Sequence, residues 1–422
     1  MFKNVLSKVL LTASMAVLSI TFAASAKADI VSLTTTAPME TASALTTSAP
    51  YGTTSPYASA TPAVNQTITT PTTMNVTPIT TYDELVAATN SVTSSSSKIT
   101  IPAGSSYRGG YGLGQVSVNE PCTIRFVAGV SGTGSSLDIK FYSDSACTLQ
   151  VGGTIYINSS ALTDSEDVAI STPGTYYIKA TVSSYTASTT DTPISVSALQ
   201  IKNEINGISA TGTLFQGKGS TSACYHSFTV SQKSVVTIGG YTISGSTQSG
   251  LGIDICDANK VVLESNGYLS DTNSYTAFYV LAPGNYYVST TTNSLGVLAM
   301  NTQGCKTAAT KNKKAKKLSK KKVSYGSFAM SDSTSKKQVF KIVLKKKAKL
   351  KFVLAGPVGN ASYLRWKVTT KNGSRLLSNS GVINANSGGG AKSSNKLKKG
   401  TYYITITKYD DDDSCYFGIK QK

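Results

Sequence analysis

The chain has 422 residues, with 40 Lys and Arg against 21 Asp and Glu, a single His and a formal net charge of +19 at pH 7. One histidine, no H-E-x-x-H, G-x-S-x-G or Walker-type sequence and no Ser/His/Asp or Cys/His constellation argue against catalysis, so the chain reads as non-enzymatic, with no catalytic residue. The charge is segregated: residues 306–422 hold 28 basic and 5 acidic side chains, a net of +23, whereas residues 29–305 hold 9 and 16, a net of −7.

In chain order, residues 1–28 read as a signal peptide. Lys3 and Lys8 form a basic start, Val9 to Ala24 is apolar, and Ala26-Lys27-Ala28 supplies the cleavage pattern. The apolar run is too short for a permanent span and no second one follows, so the mature chain is expected to be secreted and extracellular, without a membrane span. Residues 29–81 are dominated by Thr, Ser, Ala and Pro and cannot bury enough apolar surface to offset ordering entropy; a disordered, extended spacer is expected. Residues 82–96 read as a short helix and linker, with Thr81 as N-cap and Asp83 and Glu84 in the first turn.

Beyond this point the chain repeats. Pro173-Gly174-Thr175-Tyr176-Tyr177-Ile178 recurs as Pro283-Gly284-Asn285-Tyr286-Tyr287-Val288 and as Lys399-Gly400-Thr401-Tyr402-Tyr403-Ile404. Each copy is preceded by a strand-like alternation, Leu137 to Phe141, Leu251 to Ile255 and Leu364 to Val368. A pair of strands is expected further upstream, at Gln115 to Val118 with Thr123 to Phe126, Phe228 to Val230 with Val235 to Ile238, and Val339 to Leu344 with Ala348 to Leu354. A last strand follows at Pro193 to Ile201, Leu295 to Met300 and Cys415 to Ile419. The expected fold class is all-β: three tandem β-sandwich modules of jelly-roll or immunoglobulin-like type at 97–202, 203–305 and 323–422, with a Lys-rich linker at 306–322. In Gly-x-Tyr-Tyr the glycine is expected to supply a positive φ at a turn, after which alternation sends Tyr176, Tyr286 and Tyr402 inward and Tyr177, Tyr287 and Tyr403 outward.

These motifs resemble the bacterial pre-peptidase C-terminal domain family, small β-sandwich modules often appended to secreted enzymes. The resemblance implies collagen- or calcium-binding relatives. The residues at the family's acidic positions after the Leu-x-Ile strand are Asp144, Asp257 and Asn372, which fits a shared metal site least well in the third copy.

The six cysteines lack zinc-type spacing. Cys122 with Cys147 is the one disulfide considered within a module; the alternative is that the thiols are small buried hydrophobes. Asp410, Asp411, Asp412 and Asp413 read first as a solvated loop screened by lysines and second as a candidate weak calcium site, the one cofactor considered.

The lysines carry the leading functional reading. Lys313, Lys314, Lys316, Lys317, Lys320, Lys321 and Lys322, with the turn Lys345-Lys346-Lys347, are the candidate polyanion-binding residues. Lysine rather than arginine indicates point-charge attraction over bidentate readout. The expected partner is an anionic cell-wall polymer or acidic glycan that holds the protein at a bacterial surface, with no specific nucleic acid. Two alternatives differ in kind: an adhesin that binds carbohydrate or host matrix protein through Tyr177, Tyr287 and Tyr403, and an accessory part of a secreted hydrolase.

Overall fold

The computed structural model describes residues 70–422, except 95–96, 108, 134, 185–186, 244–249, 270–274, 361–362, 375–380, 385–388 and 394. The expected signal peptide and the spacer up to residue 69 lie outside the described residues.

Alternating β-branched and polar residues make strands, and these strands pair into six sheets, two per sandwich. The first sandwich comprises β1 (Thr72–Met74), β2 (Val76–Ile79), β3 (Lys98–Ile101), β4 (Tyr111–Val118), β5 (Cys122–Gly129), β6 (Leu137–Tyr142), β7 (Gln150–Ile157), β8 (Thr163–Ile170), β9 (Gly174–Val182) and β10 (Thr192–Ile201). One sheet runs β1-β4-β9-β6-β7 and the facing one β2-β10-β5-β8, with β3 also on β10.

The spacer expectation is corrected at its end. β1 pairs in parallel with β4 and β2 with β10. Met74 and Ile79, at 3% and 5% exposure, are the cause: two well-placed apolar side chains let a Thr-rich segment dock on waiting sheet edges. The expected helix, α1 (Tyr82–Asn90), follows. Thr81 Oγ1 accepts from the Glu84 N–H and the Glu84 carboxylate accepts from the Thr81 N–H, a closed capping box. Among the described residues no helix is long and apolar enough to cross a membrane.

The second sandwich repeats the plan with β11 (Thr213–Gln216), β12 (Gly219–Val230), β13 (Ser234–Ile243), β14 (Leu251–Cys256), β15 (Val262–Leu269), β16 (Tyr275–Leu281), β17 (Gly284–Thr292) and β18 (Leu295–Gly304). Its sheets are β12-β17-β14-β15 and β11-β18-β13-β16. The third uses β19 (Lys316–Lys317), β20 (Ser324–Phe328), β21 (Gln338–Leu344), β22 (Lys351–Val358), β23 (Tyr363–Thr370), β24 (Gly381–Asn384), β25 (Gly389–Lys392), β26 (Gly400–Lys408) and β27 (Cys415–Gln421). Its sheets are β19-β21-β26-β23-β24 and β20-β27-β22-β25. Every expected strand is present in the expected order.

The Gly-x-Tyr-Tyr motif owes its recurrence to a tyrosine latch. Tyr176, Tyr286 and Tyr402 pack on the three cores, and each hydroxyl donates to the carbonyl four residues upstream: Thr172 at 2.7 Å, Ala282 at 3.1 Å and Lys398 at 2.8 Å. This pins the incoming loop to the strand it enters. The expected positive φ is absent, since Gly174, Gly284 and Gly400 are not among the left-handed residues. At Gly284 the Tyr286 ring instead lies over the Cα, 3.3 Å from where a Cβ would stand. Tyr402→Phe leaves the Lys398 carbonyl without its donor and should lower stability by about 1 kcal/mol, read by urea unfolding; no change would remove the latch as a stabilising element.

Residues 203–422 form one compact unit and the first sandwich lies in another. Within the 203–422 unit, Met330 of the third sandwich packs into the core cluster of the second. The Met330 N–H donates to the Val280 carbonyl, and the Val280 N–H donates to Ser414 Oγ, both at 2.9 Å.

Candidate functional site

The lysines come first because their expected setting changes. The run at 306–322 is part of the third sandwich rather than a linker. Ala315 and Leu318 are buried at 3% and 2% exposure, β19 pairs in parallel with β21, and the Leu318 N–H donates to the Lys341 carbonyl. Apolar residues every third position anchor the segment, which leaves Lys313, Lys314, Lys316, Lys317, Lys320, Lys321 and Lys322 exposed around it. Lys345, Lys346 and Lys347 are exposed in the β21–β22 turn.

Two further groups join them. Ala348 and Leu397 exchange backbone hydrogen bonds, which brings the exposed Lys396, Lys398 and Lys399 to the same end of the sandwich as Lys345, Lys346 and Lys347. On the outward face of β19-β21-β26-β23, register places Lys317, Lys341, Tyr403 and Thr369 in one row, and Lys367 and Arg365 beside it. Strand alternation in Gln338–Leu344 and Tyr363–Thr370 already contains this placement. The Arg365 guanidinium sits 4.3 Å from the centre of the Tyr409 ring. No Asp or Glu occurs in β19, β21, β23 or β26.

The five acids of this region lie off these strands, Asp332 in the loop between β20 and β21 and the other four between β26 and β27. Asp332, 8% exposed, pairs with Lys233 of the second sandwich at 2.7 Å and with Lys336, and accepts from the Ala329 N–H. Asp411 Oδ1 accepts from the Thr334 N–H, and Asp413 Oδ2 from the Asp410 N–H. The fully buried Lys408 donates its ammonium to the carbonyls of Ala329, Met330 and Asp411. Desolvation lowers its pKa, and the charges of Asp332, Asp411 and Asp413 oppose that shift. Asn360 links the Asp412 carbonyl and Ser414 to Glu264 of the second sandwich. At Asp410, Asp411, Asp412 and Asp413, read second as a calcium site, no three His, Cys, Asp or Glu side chains gather among the described residues, and Asn360 ties the loop to the second sandwich. Backbone N–H groups meet Asp411 and Asp413, and Lys408 donates to the Asp411 carbonyl.

Asp144 and Asp257 have a comparable structural role. Asp144 accepts from the N–H groups of Thr148 and Leu149, and Asp257 from those of Asn259 and Val261, each closing the hairpin after its Leu-x-Ile strand. These hydrogen bonds, led by that of Leu149, hold the Asp144 carboxyl below its ordinary range.

The outward tyrosines occupy three different settings. Tyr177 stands between Gln115 and Tyr142, Tyr287 between Ser227 and Cys256, and Tyr403 between Lys341 and Thr369. Tyr287 meets Tyr225 edge-on at 6.2 Å, with the Lys260 ammonium 4.4 Å from the Tyr225 ring and 5.4 Å from its own.

His226 is wholly buried. Its Nδ1 accepts from the Ile205 N–H at 3.3 Å, so Nε2 carries the proton and donates to Thr290 Oγ1 at 2.8 Å. All six cysteines are free thiols, so the Cys122–Cys147 disulfide is not present; Cys122 opens β5 in one sheet while Cys147 lies in the turn after β6 of the other.

No protein-family model and no curated protein matches the chain. Among solved structures, the triple jelly-roll fold and turret assembly in an archaeal virus matches with a TM-score of 0.17 and 11% identity, over 81% of this chain and 92% of that one. The N-terminal CBM22 tandem domain from Paenibacillus barcinonensis matches with a TM-score of 0.17 and 8% identity, over 48% and 85%. The assignment of three tandem β-sandwiches rests on the sheet pairing itself.

Proposed function

We propose that the chain is a secreted, non-catalytic bacterial surface protein whose third sandwich attaches to an anionic cell-wall polymer. One observation carries this reading: the third sandwich confines its five acids to the loops at its junction with the second, which leaves its lysine-bearing faces uncompensated. Such a surface costs self-repulsion and attracts a flexible polyanion. Compact ammonium charges on several faces suit a chain of repeated phosphates better than a fixed, bidentate ligand. The motif resemblance to pre-peptidase C-terminal modules belongs to the same reading, since such modules accompany secreted proteins.

Truncation at residue 305 is a poor test, because it would bare the junction. The full chain with Lys313, Lys314, Lys316, Lys317, Lys345, Lys346 and Lys347 changed to Gln is the better reagent. Purified cell walls should retain the wild type and release most of this variant, and walls stripped of anionic polymer should retain neither. Equal retention on stripped walls would overturn the proposal.

A further inference from the structure

A second charged face lies in the first sandwich, which is otherwise not basic. The outward side of β4-β9-β6-β7 is laid out by register in three rows. The first reads Gln115, Tyr177, Tyr142, Gln150; the second Leu113, Lys179, Lys140, Thr154; the third Tyr111, Thr181, Asp138, Tyr156.

Lys179 and Lys140 stand directly opposite each other on neighbouring strands, an arrangement that destabilises a sheet. Among the described residues neither has a carboxylate within ion-pairing distance. Among the described residues the ion pairs of this sandwich are Arg125 with Asp167 and Lys202 with Glu120. Asp144 accepts backbone N–H groups of its own hairpin, Asp164 and Glu166 of β8 accept those of Tyr156 and Gly153 on β7, and Asp191 accepts that of Ala103. Asp138 is the one acid on the face, two residues along the strand from Lys140. The Lys179 ammonium lies 4.6 Å from the centre of the Tyr111 ring. Two opposed cations are bordered by Tyr142 and Tyr177 on one side and by Tyr111 and Tyr156 on the other.

We propose that this face binds an acidic sugar residue of a glycan, its carboxylate or sulfate lying between Lys140 and Lys179. Directly opposed side chains have Cβ atoms about 5 Å apart, so both ammonium groups can reach one anion. The flanking tyrosines offer ring faces to the sugar and hydroxyls to its neighbours, and Asp138 can accept from a sugar hydroxyl. The site belongs to the first sandwich and takes one sugar residue, where the lysine-rich sandwich takes a polymer.

The test uses the full chain with the seven third-sandwich lysines changed to Gln, so that polymer attachment does not mask the signal. Calorimetric titration with a uronic-acid tetramer, a sulfated tetramer and a neutral tetramer of the same linkage should give at least tenfold tighter binding for one or both acidic ligands. Adding Lys140→Gln and Lys179→Gln should abolish that preference with no loss of thermal stability, because a like-charge pair is removed. Tyr142→Ala with Tyr177→Ala should weaken binding of the acidic tetramers by tenfold or more, with folding checked by circular dichroism. Equal affinity for acidic and neutral tetramers, or a preference that survives the two lysine changes, would overturn this site while leaving the wall-polymer reading untouched.

Discussion

Acidification from pH 6.5 to pH 3 should remove about 4 kcal/mol of unfolding free energy from the 203–422 unit through His226 alone. Desolvation first, and the Lys218 charge second, push the imidazole pKa down to about 3. In the unfolded chain it returns to about 6.5. Between these values the unfolded state binds a proton that the folded state refuses, so stability rises with pH across the window and is lost as pH falls, by at most about 1.4 kcal/mol per unit. The structural cause is a closed environment. Both ring nitrogens are committed, to Ile205 and Thr290, and the Phe215 ring packs edge-on at 4.6 Å, so no site remains for a second proton or its water. Carboxylates titrate in the lower part of this range, so the informative quantity is the difference between wild type and His226→Gln. The variant should be less stable at pH 7 but show a flatter profile between pH 6.5 and pH 4.5. Parallel profiles would mean that the histidine is protonated in the folded state.

The junction carries the second large effect. Asp332→Ala removes the carboxylate shared by Lys233, Lys336 and the Ala329 N–H, and should destabilise the unit by roughly 3–5 kcal/mol, the cost of stranding a buried charge. Although desolvation raises the pKa of Asp332, the hydrogen bonds from Lys233 and Lys336 outweigh it and hold the carboxyl below its ordinary range. Its contribution is therefore present above the unfolded carboxylate value and fades only as pH falls through the folded one. Because Lys233 belongs to the second sandwich and Asp332 to the third, calorimetry should show the two sandwiches melting together in the wild type and separating in the variant. Lys336→Ala, which removes the more exposed partner, should cost well under 1 kcal/mol. A loss below 1 kcal/mol for Asp332→Ala would show that the junction does not depend on this charge.

What the sequence disclosed follows strand position. The Leu-x-Ile strands and the Gly-x-Tyr-Tyr strands are central in their sheets, so they alternate cleanly and were legible. The strands that escaped notice, β1, β2, β3, β7, β8, β11, β15, β16, β19, β20, β24 and β25, all stand at sheet edges. β8 shows why: in Thr163–Ile170 only Val168 and Ile170 are buried, and the rest is polar. The lysine run was hidden by composition, since two apolar residues in six sufficed to seat it. Lys408 could have been found, because it shares parity with Tyr402, Ile404 and Ile406 on an inward-facing strand side. The use of the aspartates could not, because Lys233 lies 99 residues from Asp332 and Val280 lies 134 from Ser414. Local pattern fixes which side a residue faces and says nothing of what it meets there.

The most direct test of the basic sandwich is a salt titration of the full chain against a linear glycerol-phosphate polymer. If six lysines each neutralise a phosphate, with about 0.7 counterions released per contact as on a single-stranded polyanion, the logarithm of affinity should fall against the logarithm of salt with a slope of about −4. A fourfold rise in salt would then weaken binding roughly 250-fold. The variant with seven lysines changed to Gln should lose most of both the affinity and the slope. A salt-independent affinity, or the same slope in wild type and variant, would contradict attachment through these lysines.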